Sequence, residues 1–291
     1  MPAKHFELIP FASADELASR VAGLWLDEIE SANAGSAEAS RSGKPHCVAL
    51  SGGRITQKFF AATVEQAGLR KIGDGGTPSL PANVRFFWAD ERCVPPTDPE
   101  SNFKLASELL FAPLKIPATQ IHRIRGEEPP DKAAALASAE IIRIVPTASP
   151  SPRRGEGRGE EAVFSNSKPL SPTLSPLGRG EGVNLLPVLD LIFLGMGEDG
   201  HVASLFPDAS PEILNCASPF LAIENSPKPP PRRVSLSYAA IAAAKQVWVL
   251  VSGAGKAPAL RESLRSGGRT PLARVLQLRS RTRIFCDFQL D

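Results

Sequence analysis

The chain has 291 residues, of which 42 % are hydrophobic and 22 % charged, and its formal net charge is +2. This composition is typical of a globular protein large enough to bury a core without disulfides, and a nearly balanced charge argues against a general nucleic-acid or membrane-surface role. No apolar run approaches the roughly 20 residues that span a bilayer, and acidic residues interrupt the N-terminal region where a signal peptide needs an apolar stretch. We therefore expect a protein without a nucleic-acid or membrane partner.

The four cysteines, at positions 47, 93, 216 and 286, lie far apart and form no Cys-x-x-Cys or Cys/His pair. Isolated thiols of this kind are typical of small buried residues in a reducing compartment. The sequence also contains no His-Glu-x-x-His pattern or comparable set of metal ligands. We expect a cytoplasmic protein that holds no metal.

Short apolar runs alternate with segments of helical periodicity. The apolar runs predict strands at His46–Leu50, Val84–Trp88, Leu189–Leu194, Phe220–Ile223, Val247–Val251 and Ile284–Cys286. The helical patterns between them predict helices from the capping box Ser13–Glu16, after Gly53, after Ser101, from a cap at Asp131, after Ser237 and after Lys256. The strands are apolar at nearly every position, as expected of parallel strands covered on both faces. The alternation predicts a three-layer α/β fold with a Rossmann-like, mainly parallel sheet and helices on both faces.

The segment from Pro146 to Gly182 departs from this pattern. It is rich in Pro, Gly, Ser and Arg, lacks apolar periodicity and repeats Arg-Gly-Glu-Gly at positions 154 and 179. Such a composition buries too little apolar area to offset the entropy of ordering. We expect a disordered surface insertion at 146–182 within a single domain that spans 1–291. A nucleic-acid arm is disfavoured, because glutamates interrupt its arginines.

Candidate functional residues follow the ends of predicted strands, where α/β sheets place their ligands. Ser51, Gly52 and Gly53 lie between a strand and a helix, where backbone amides and the positive helix end suit a phosphate, although a plain turn has the same pattern. Asp90 and Arg92 follow the next strand. Arg92 could supply a forked cation and Asp90 could orient a hydroxyl, but a solvated turn would look similar.

The glycine-rich loop that contains Asp199 and His201 is the most informative segment. Asp199 could orient the imidazole and raise its basicity, as a carboxylate does beside a catalytic histidine, and we expect His201 to begin a helix. The amides of Gly197–Gly200 are candidate oxyanion donors. Arg233 and Lys256 lie near later strand ends and could converge with Arg92 on one phosphate dianion, although isolated cations are usually solvated.

Taken together, the motifs resemble the family that contains 6-phosphogluconolactonase and glucosamine-6-phosphate deaminase. They are, in order, SGG, WADERCVPPTDPESNFKLA, LGMGEDGHVASLFP and GAGK. The resemblance covers nearly the whole chain outside the insertion. It implies hydrolysis of 6-phospho-D-glucono-1,5-lactone without a cofactor, in cytoplasmic pentose phosphate metabolism. It assigns His201 as the catalytic histidine, Asp199 as its acidic companion, Arg92, Arg233 and Lys256 as phosphate-handling residues, and Ser51, Gly52 and Gly53 as the phosphate loop.

The chain departs from the family pattern in the phosphate loop, where Ile55 and Thr56 replace the usual Thr and Pro. The alternative of a glucosamine-6-phosphate deaminase is disfavoured, because that branch has Tyr near Arg92 and Phe-Asn-Glu where this chain has Ala203–Phe206. A non-catalytic sugar-phosphate-binding protein is a second alternative. A nicotinamide-binding enzyme is a third, but no Gly-x-Gly-x-x-Gly motif follows the first predicted strand of this chain. We expect a monomer that binds a small sugar phosphate.

Overall fold

The computed structural model describes residues 6–34, 45–70, 79–148 and 186–290. The strands are β1 (Phe6–Pro10), β2 (His46–Leu50), β3 (Val84–Trp88), β4 (Asp90–Arg92), β5 (Thr147–Ala148), β6 (Leu186–Pro187), β7 (Leu191–Gly195), β8 (Phe220–Ile223), β9 (Arg233–Leu236), β10 (Gln246–Val251) and β11 (Thr282–Cys286). The α-helices are α1 (Ala14–Ala34), α2 (Arg54–Leu69), α3 (Asn102–Ala106), α4 (Pro130–Ile144), α5 (Pro211–Leu214), α6 (Tyr238–Ala243), α7 (Ala257–Leu264) and α8 (Pro271–Leu278).

The central sheet has six strands in the order β1-β11-β10-β7-β2-β3, and all neighbouring pairs are parallel. Helices α1 and α2 pack against each other, and Trp25 of α1 contacts Phe86 and Phe193 on the same face of the sheet. Helices α6 and α7 both pack on α8. Because every residue of β2 is buried, both faces of the sheet are covered. The expected α/β fold, with a mainly parallel sheet flanked by helices, is confirmed.

A second, antiparallel sheet of three strands has the order β4-β9-β8 and packs against α4. The expectation that Phe220–Ile223 belongs to the parallel sheet is therefore wrong. Its residues are largely buried, and an apolar run indicates burial without indicating strand direction. Strand β1 lies at the edge of the large sheet and is partly exposed, so its mixed pattern did not predict a strand.

The predicted helix starts hold except at Asp131 and at His201. Ser13, Ser101 and Ser237 each accept a backbone hydrogen bond three residues ahead, at 3.1–3.2 Å, and act as N-caps. Asp131 is not a cap, because α4 begins one residue earlier at Pro130. Asp131 instead lies in the first turn, where a negative charge favours the helix dipole.

The start of the expected insertion belongs to the fold. Thr147 and Ala148 pair with Pro187 and Leu186, so the predicted boundary at Pro146 is too early. The rest of that expectation, 149–182, falls outside the described residues. Across the ranges that the structure describes, no helix has both the length and the apolar character needed to cross a bilayer.

Replacing Trp25 with Ala tests the contact between helix and sheet. Its side chain is fully buried among Phe59, Phe86 and Phe193. We expect the free energy of unfolding to fall by about 3–5 kcal/mol, because truncation leaves a cavity and removes aromatic contacts. Urea unfolding followed by circular dichroism measures the change.

Leu69→Ala is the matched control, because that side chain is 76 % exposed. We expect a change within about 0.5 kcal/mol. Equal losses for the two variants would contradict this account of the core.

Candidate active site

A cleft of about 570 Å³ opens at the carboxyl edge of the parallel sheet. Loops that follow β2, β3, β7 and β10 form its walls. The predicted site residues that line it are Ser51, Gly52, Gly53, Asp90, Arg92, His201, Arg233 and Lys256. Asp199 is not among the residues that line the cleft, but it contacts His201, which does. The structure therefore brings the predicted residues together, as the carboxyl ends of parallel strands should.

The Asp199–His201 pair lies in the loop after β7. Asp199 Oδ1 is 2.5 Å from His201 Nδ1 and also accepts the backbone N–H of His201 at 3.3 Å. The ring packs on Phe206 with its centroid 4.8 Å from that of the phenyl ring. These contacts fix the orientation of the imidazole and leave Nε2 as the ring nitrogen able to act in the cleft.

His201 does not begin a helix, contrary to the sequence-based expectation. Val202 forms bridges with Met196 and Leu205, and Gly197 N–H donates to the carbonyl of His201 at 2.9 Å. The next helix, α5, begins at Pro211. Pro207 disfavours helical backbone at the residue before it, which explains why the turn does not extend into a helix.

The close approach of the loop requires a glycine at position 197. A Cβ there would overlap His201 Nδ1 and lie 2.6 Å from Asp199 Oδ1. The amides of Gly197 and Gly200 are used within the loop, by the carbonyls of His201 and Gly197. These two amides are therefore not available as oxyanion donors.

The environment of His201 favours its neutral imidazole. Burial lowers the pKa of His201, the contact with Asp199 opposes this shift, and the Lys228 ammonium lowers the pKa further. Burial is the largest single effect on Asp199 and acts to raise its pKa, but the hydrogen bonds and charge of His201 and the charge of Lys228 together outweigh it, so this pKa lies below its usual value. A neutral imidazole beside an ionised carboxylate is the state that a general base requires.

The predicted phosphate loop joins β2 to α2. Gly53 precedes the first residue of α2 with φ +112°, a conformation that favours glycine. A Cβ at Gly52 would overlap the side-chain amide of Asn102. The Ser51 hydroxyl donates to the carbonyl of Phe193 at 2.8 Å, so it ties β2 to β7. The loop therefore offers the N-terminal end of α2 to the cleft, while its serine hydroxyl has a structural partner.

Two neighbouring carboxyl groups after β3 have different surroundings. Asp90 is buried and accepts hydrogen bonds from Ser204 at 2.8 Å and Asn102 at 3.3 Å. Glu91 accepts the backbone N–H groups of Asn102 and Phe103 at 2.7 and 2.8 Å. Burial raises the pKa of Glu91 to about 7, although these amides oppose the shift. Glu91 thus anchors the start of α3 and places the Asn102 side chain against the phosphate loop.

The three cations predicted to bind phosphate differ in how firmly other groups of the protein already hold them. Arg92 Nη1 donates to the carbonyl and the carboxylate of Glu100, at 2.8 and 3.4 Å. Arg233 is buried, and its Nε and Nη2 donate to the three carbonyls of 228–230, each at 3.0 Å. Lys256 lines the cleft, and burial followed by the nearby Arg54 lowers its pKa. Their roles as phosphate ligands stay predictions.

The sequence analysis did not single out several other residues that line the cleft. They are Arg54, Lys58, Asn102, Glu198 and Lys228. Arg54 and Lys58 lie in the first turns of α2, and the start of that helix was the available signal. Lys228 lies in a proline-rich loop that shows no catalytic pattern. Among residues 6–34, 45–70, 79–148 and 186–290, no group of three or more His, Cys, Asp or Glu side chains is arranged to hold a metal ion.

Comparison with known proteins shows the family of the chain. A family model described as glucosamine-6-phosphate isomerases/6-phosphogluconolactonase matches residues 12–284. The 6-phosphogluconolactonase of Mycobacterium tuberculosis is 36 % identical over 192 residues, which cover 66 % of this chain and 64 % of that protein. The match thus spans slightly less than two thirds of that relative. The chain belongs to the glucosamine-6-phosphate isomerase/6-phosphogluconolactonase family.

Solved structures show that both branches of this family share the fold. The 6-phosphogluconolactonase from Trypanosoma cruzi superposes with a TM-score of 0.69 at 22 % identity, covering 96 % of this chain and 94 % of that one. A monomeric glucosamine-6-phosphate deaminase superposes with a TM-score of 0.66 at 14 % identity, covering 96 % of each chain. The fold therefore does not separate the branches, and the site residues have to do so.

The departure from the family's phosphate-loop pattern has a structural counterpart. Ile55 is buried and lines the cleft, where the family pattern has a hydroxyl. The Thr56 hydroxyl donates to the carbonyl of Gly52 at 3.0 Å, within the first turn of α2. Neither side chain therefore offers a free hydroxyl to a ligand.

Replacing Gly197 with Ala tests the geometry of the family's histidine loop. The added methyl group would displace the Asp199–His201 pair, and a misplacement of about 1 Å can reduce turnover about 100-fold. We expect a loss of that order in any reaction that uses His201, measured as kcat/KM, and a changed imidazole signal in proton NMR.

Gly195→Ala is the matched control, because a Cβ there would meet one backbone oxygen at 3.7 Å, an ordinary contact. It should retain most of the activity and the wild-type imidazole signal. A Gly197→Ala variant with the activity of Gly195→Ala would show that the tight loop is unimportant.

Proposed function

We propose that this chain is an enzyme that hydrolyses 6-phospho-D-glucono-1,5-lactone to 6-phospho-D-gluconate. The observation that carries the proposal is the oriented Asp199–His201 pair, which faces a cleft lined by several cations. The name of the Mycobacterium tuberculosis relative supports the same reaction. Arg92 lines the cleft at the position where the deaminase branch has Tyr, which favours the lactonase over that alternative.

The phosphate group of the substrate accounts for the cations. Arg54 and Lys58 at the start of α2, Arg92 after β3 and Lys256 after β10 all line the cleft. Charge-assisted hydrogen bonds to a phosphate dianion are among the strongest that side chains make, and the N-terminal end of α2 adds a favourable dipole. Held in this way, the substrate presents its carbonyl carbon C1 to His201 at a high effective concentration.

Hydrolysis then needs one base that later acts as an acid. The contact with Asp199 favours the proton on His201 Nδ1, so that Nε2 carries the lone pair. Nε2 accepts a proton as water attacks C1, and a tetrahedral intermediate forms. The imidazolium returns that proton to the ring oxygen as the bond between C1 and that oxygen breaks. Asp199 stabilises the imidazolium throughout, and no covalent intermediate or cofactor enters the scheme.

The biological setting is also part of the proposal. We infer a cytoplasmic monomer acting in the oxidative pentose phosphate pathway, without nucleic-acid or membrane partners. The near-balanced charge of +2 and four free cysteines support this setting. Free thiols without disulfide partners are characteristic of a reducing compartment.

A direct assay decides between the lactonase and its alternatives. Decay of 6-phosphogluconolactone is followed by NMR with and without the purified protein, because the lactone also hydrolyses spontaneously. Glucosamine 6-phosphate serves as the second substrate. Acceleration with that substrate alone would assign the deaminase reaction. Saturable binding without turnover of either would indicate a sugar-phosphate-binding protein.

Replacing His201 with Ala should lower kcat about 10²–10⁴-fold, the usual contribution of a positioned general base. Steady-state kinetics with the phosphorylated lactone measures the loss. Thermal unfolding is the control, since an unchanged midpoint shows that the fold is kept. A variant with activity within a few-fold of wild type would remove His201 from the mechanism.

Replacing Lys256 with Met tests the assignment of the cleft to phosphate. The substitution keeps the length of the side chain and removes its charge. We expect kcat/KM for the phosphorylated lactone to fall about 10-fold or more, because a hydrogen bond to a charged group contributes about 1.5–3 kcal/mol.

Unphosphorylated gluconolactone is the matched substrate for this variant. Its kcat/KM should already be low in the wild type and should change little in Lys256→Met, because no phosphate is present to lose a contact. Equal losses for the two lactones would show that Lys256 acts without regard to phosphate.

A further inference from the structure

The Lys228 ammonium lies in direct contact with the Asp199–His201 pair. Its Nζ is 3.3 Å from His201 Nδ1 and 3.5 Å from both carboxylate oxygens of Asp199. It belongs to the loop between β8 and β9 and lines the cleft. The ammonium therefore approaches the side of the imidazole that faces Asp199 and not the Nε2 side.

The backbone that carries Lys228 is held by neighbouring side chains. Arg233 Nη2 donates to the carbonyls of Lys228 and Pro229, both at 3.0 Å. The Ser226 hydroxyl donates to the carbonyl of Lys228 at 2.8 Å and accepts its N–H at 3.2 Å. The loop thus has a defined position over the catalytic pair, although the lysine side chain itself is partly exposed.

The contact between the ammonium and the imidazole is coulombic. With a proton on Nδ1, both Nζ and Nδ1 are donors, and both point to the carboxylate of Asp199. A second positive charge on the ring would face the Lys228 ammonium, so Lys228 disfavours the imidazolium. Asp199 and Asp90 are the carboxylates near His201 that favour it. The Lys228 ammonium opposes the effect of these two acids on the imidazole.

We propose that Lys228 is a positioning residue that holds the Asp199–His201 pair in its neutral-imidazole form and thereby sets the lower pH limit of catalysis. The inference deepens the proposed function, and its catalytic consequence rests on that function. The direction agrees with the site, since burial and then Lys228 lower the pKa of His201 against the opposing effect of Asp199. A base with a lowered pKa loses activity only when the pH falls through that lower value.

NMR titration of the His201 imidazole in the free, full-length protein tests the electrostatic claim without any substrate. The His201 signal is assigned by its absence in His201→Gln. In Lys228→Met the pKa of His201 should rise, because the opposing charge is gone. In Lys228→Arg it should stay near the wild-type value. Lys132→Met removes one exposed lysine charge on α4, whose ion-pair partner is Glu128, and should leave the titration unchanged.

The pH profile of lactone hydrolysis gives a second readout. The acid limb of kcat/KM should move to higher pH in Lys228→Met, so the loss relative to wild type should be larger near pH 5.5 than near pH 8. Lys228→Arg should restore the profile. A loss that is equal at every pH would assign Lys228 to substrate contact and overturn the proposal.

The two readouts separate the possible failures. An unchanged or lowered pKa of His201 in Lys228→Met overturns the inference whatever the substrate proves to be. A raised pKa in a protein that does not hydrolyse the lactone supports the electrostatic role and refutes the proposed reaction. Thermal unfolding of each variant shows whether the titrated protein is folded.

Discussion

The site depends on four neighbouring strands running in the same direction. Strands β10, β7, β2 and β3 are adjacent in the sheet, and each contributes the loop after its carboxyl end to the cleft. The chain proceeds from β2 to β3 on one side and from β7 to β10 on the other, so strand order reverses between β2 and β7. A crevice forms where the loops diverge at such a reversal. The Ser51–Gly53 loop and the histidine loop flank this point, and the Ser51 hydroxyl joins them through the carbonyl of Phe193.

The small antiparallel sheet turns this crevice into an organised site. Strand β4 follows β3 almost immediately and pairs with β9, so Asp90 lies opposite Ser235 and Arg92 opposite Arg233. Through this pairing, Arg92 and Arg233, which are more than a hundred positions apart in the chain, line the same side of the cleft. Ser204 connects that side to the histidine loop by donating to Asp90 at 2.8 Å. The position of the Lys228 loop follows from the same sheet, because Arg233 begins β9.

The sequence predicted five of the six parallel strands, all but the edge strand β1, and the residues on the loops after them, because a buried strand followed by Gly, Asp or His is a local pattern. His201, Asp199 and the Ser51–Gly53 loop were found in this way. The antiparallel sheet was missed, because β4 and the start of β9 are charged and resemble solvated turns. Arg233 illustrates the limit: its residue type did not indicate that its Nε and Nη2 donate to backbone carbonyls, and its role as a phosphate ligand stays a prediction. Asn102 and Lys228 reach the site only through such non-local contacts.

The number of cations in the cleft follows from two separate requirements. In the proposed reaction the cleft binds a phosphate dianion, and the negative charge of that group favours protonation of any imidazole nearby and so works against a general base. Asp199 and Asp90 act on His201 in the same direction. Cations beyond those needed for affinity offset this effect and keep the imidazole neutral once the substrate is present. Lys256 follows β10 and Lys228 lies in the loop between β8 and β9, which fits a division between holding the phosphate and keeping the base unprotonated.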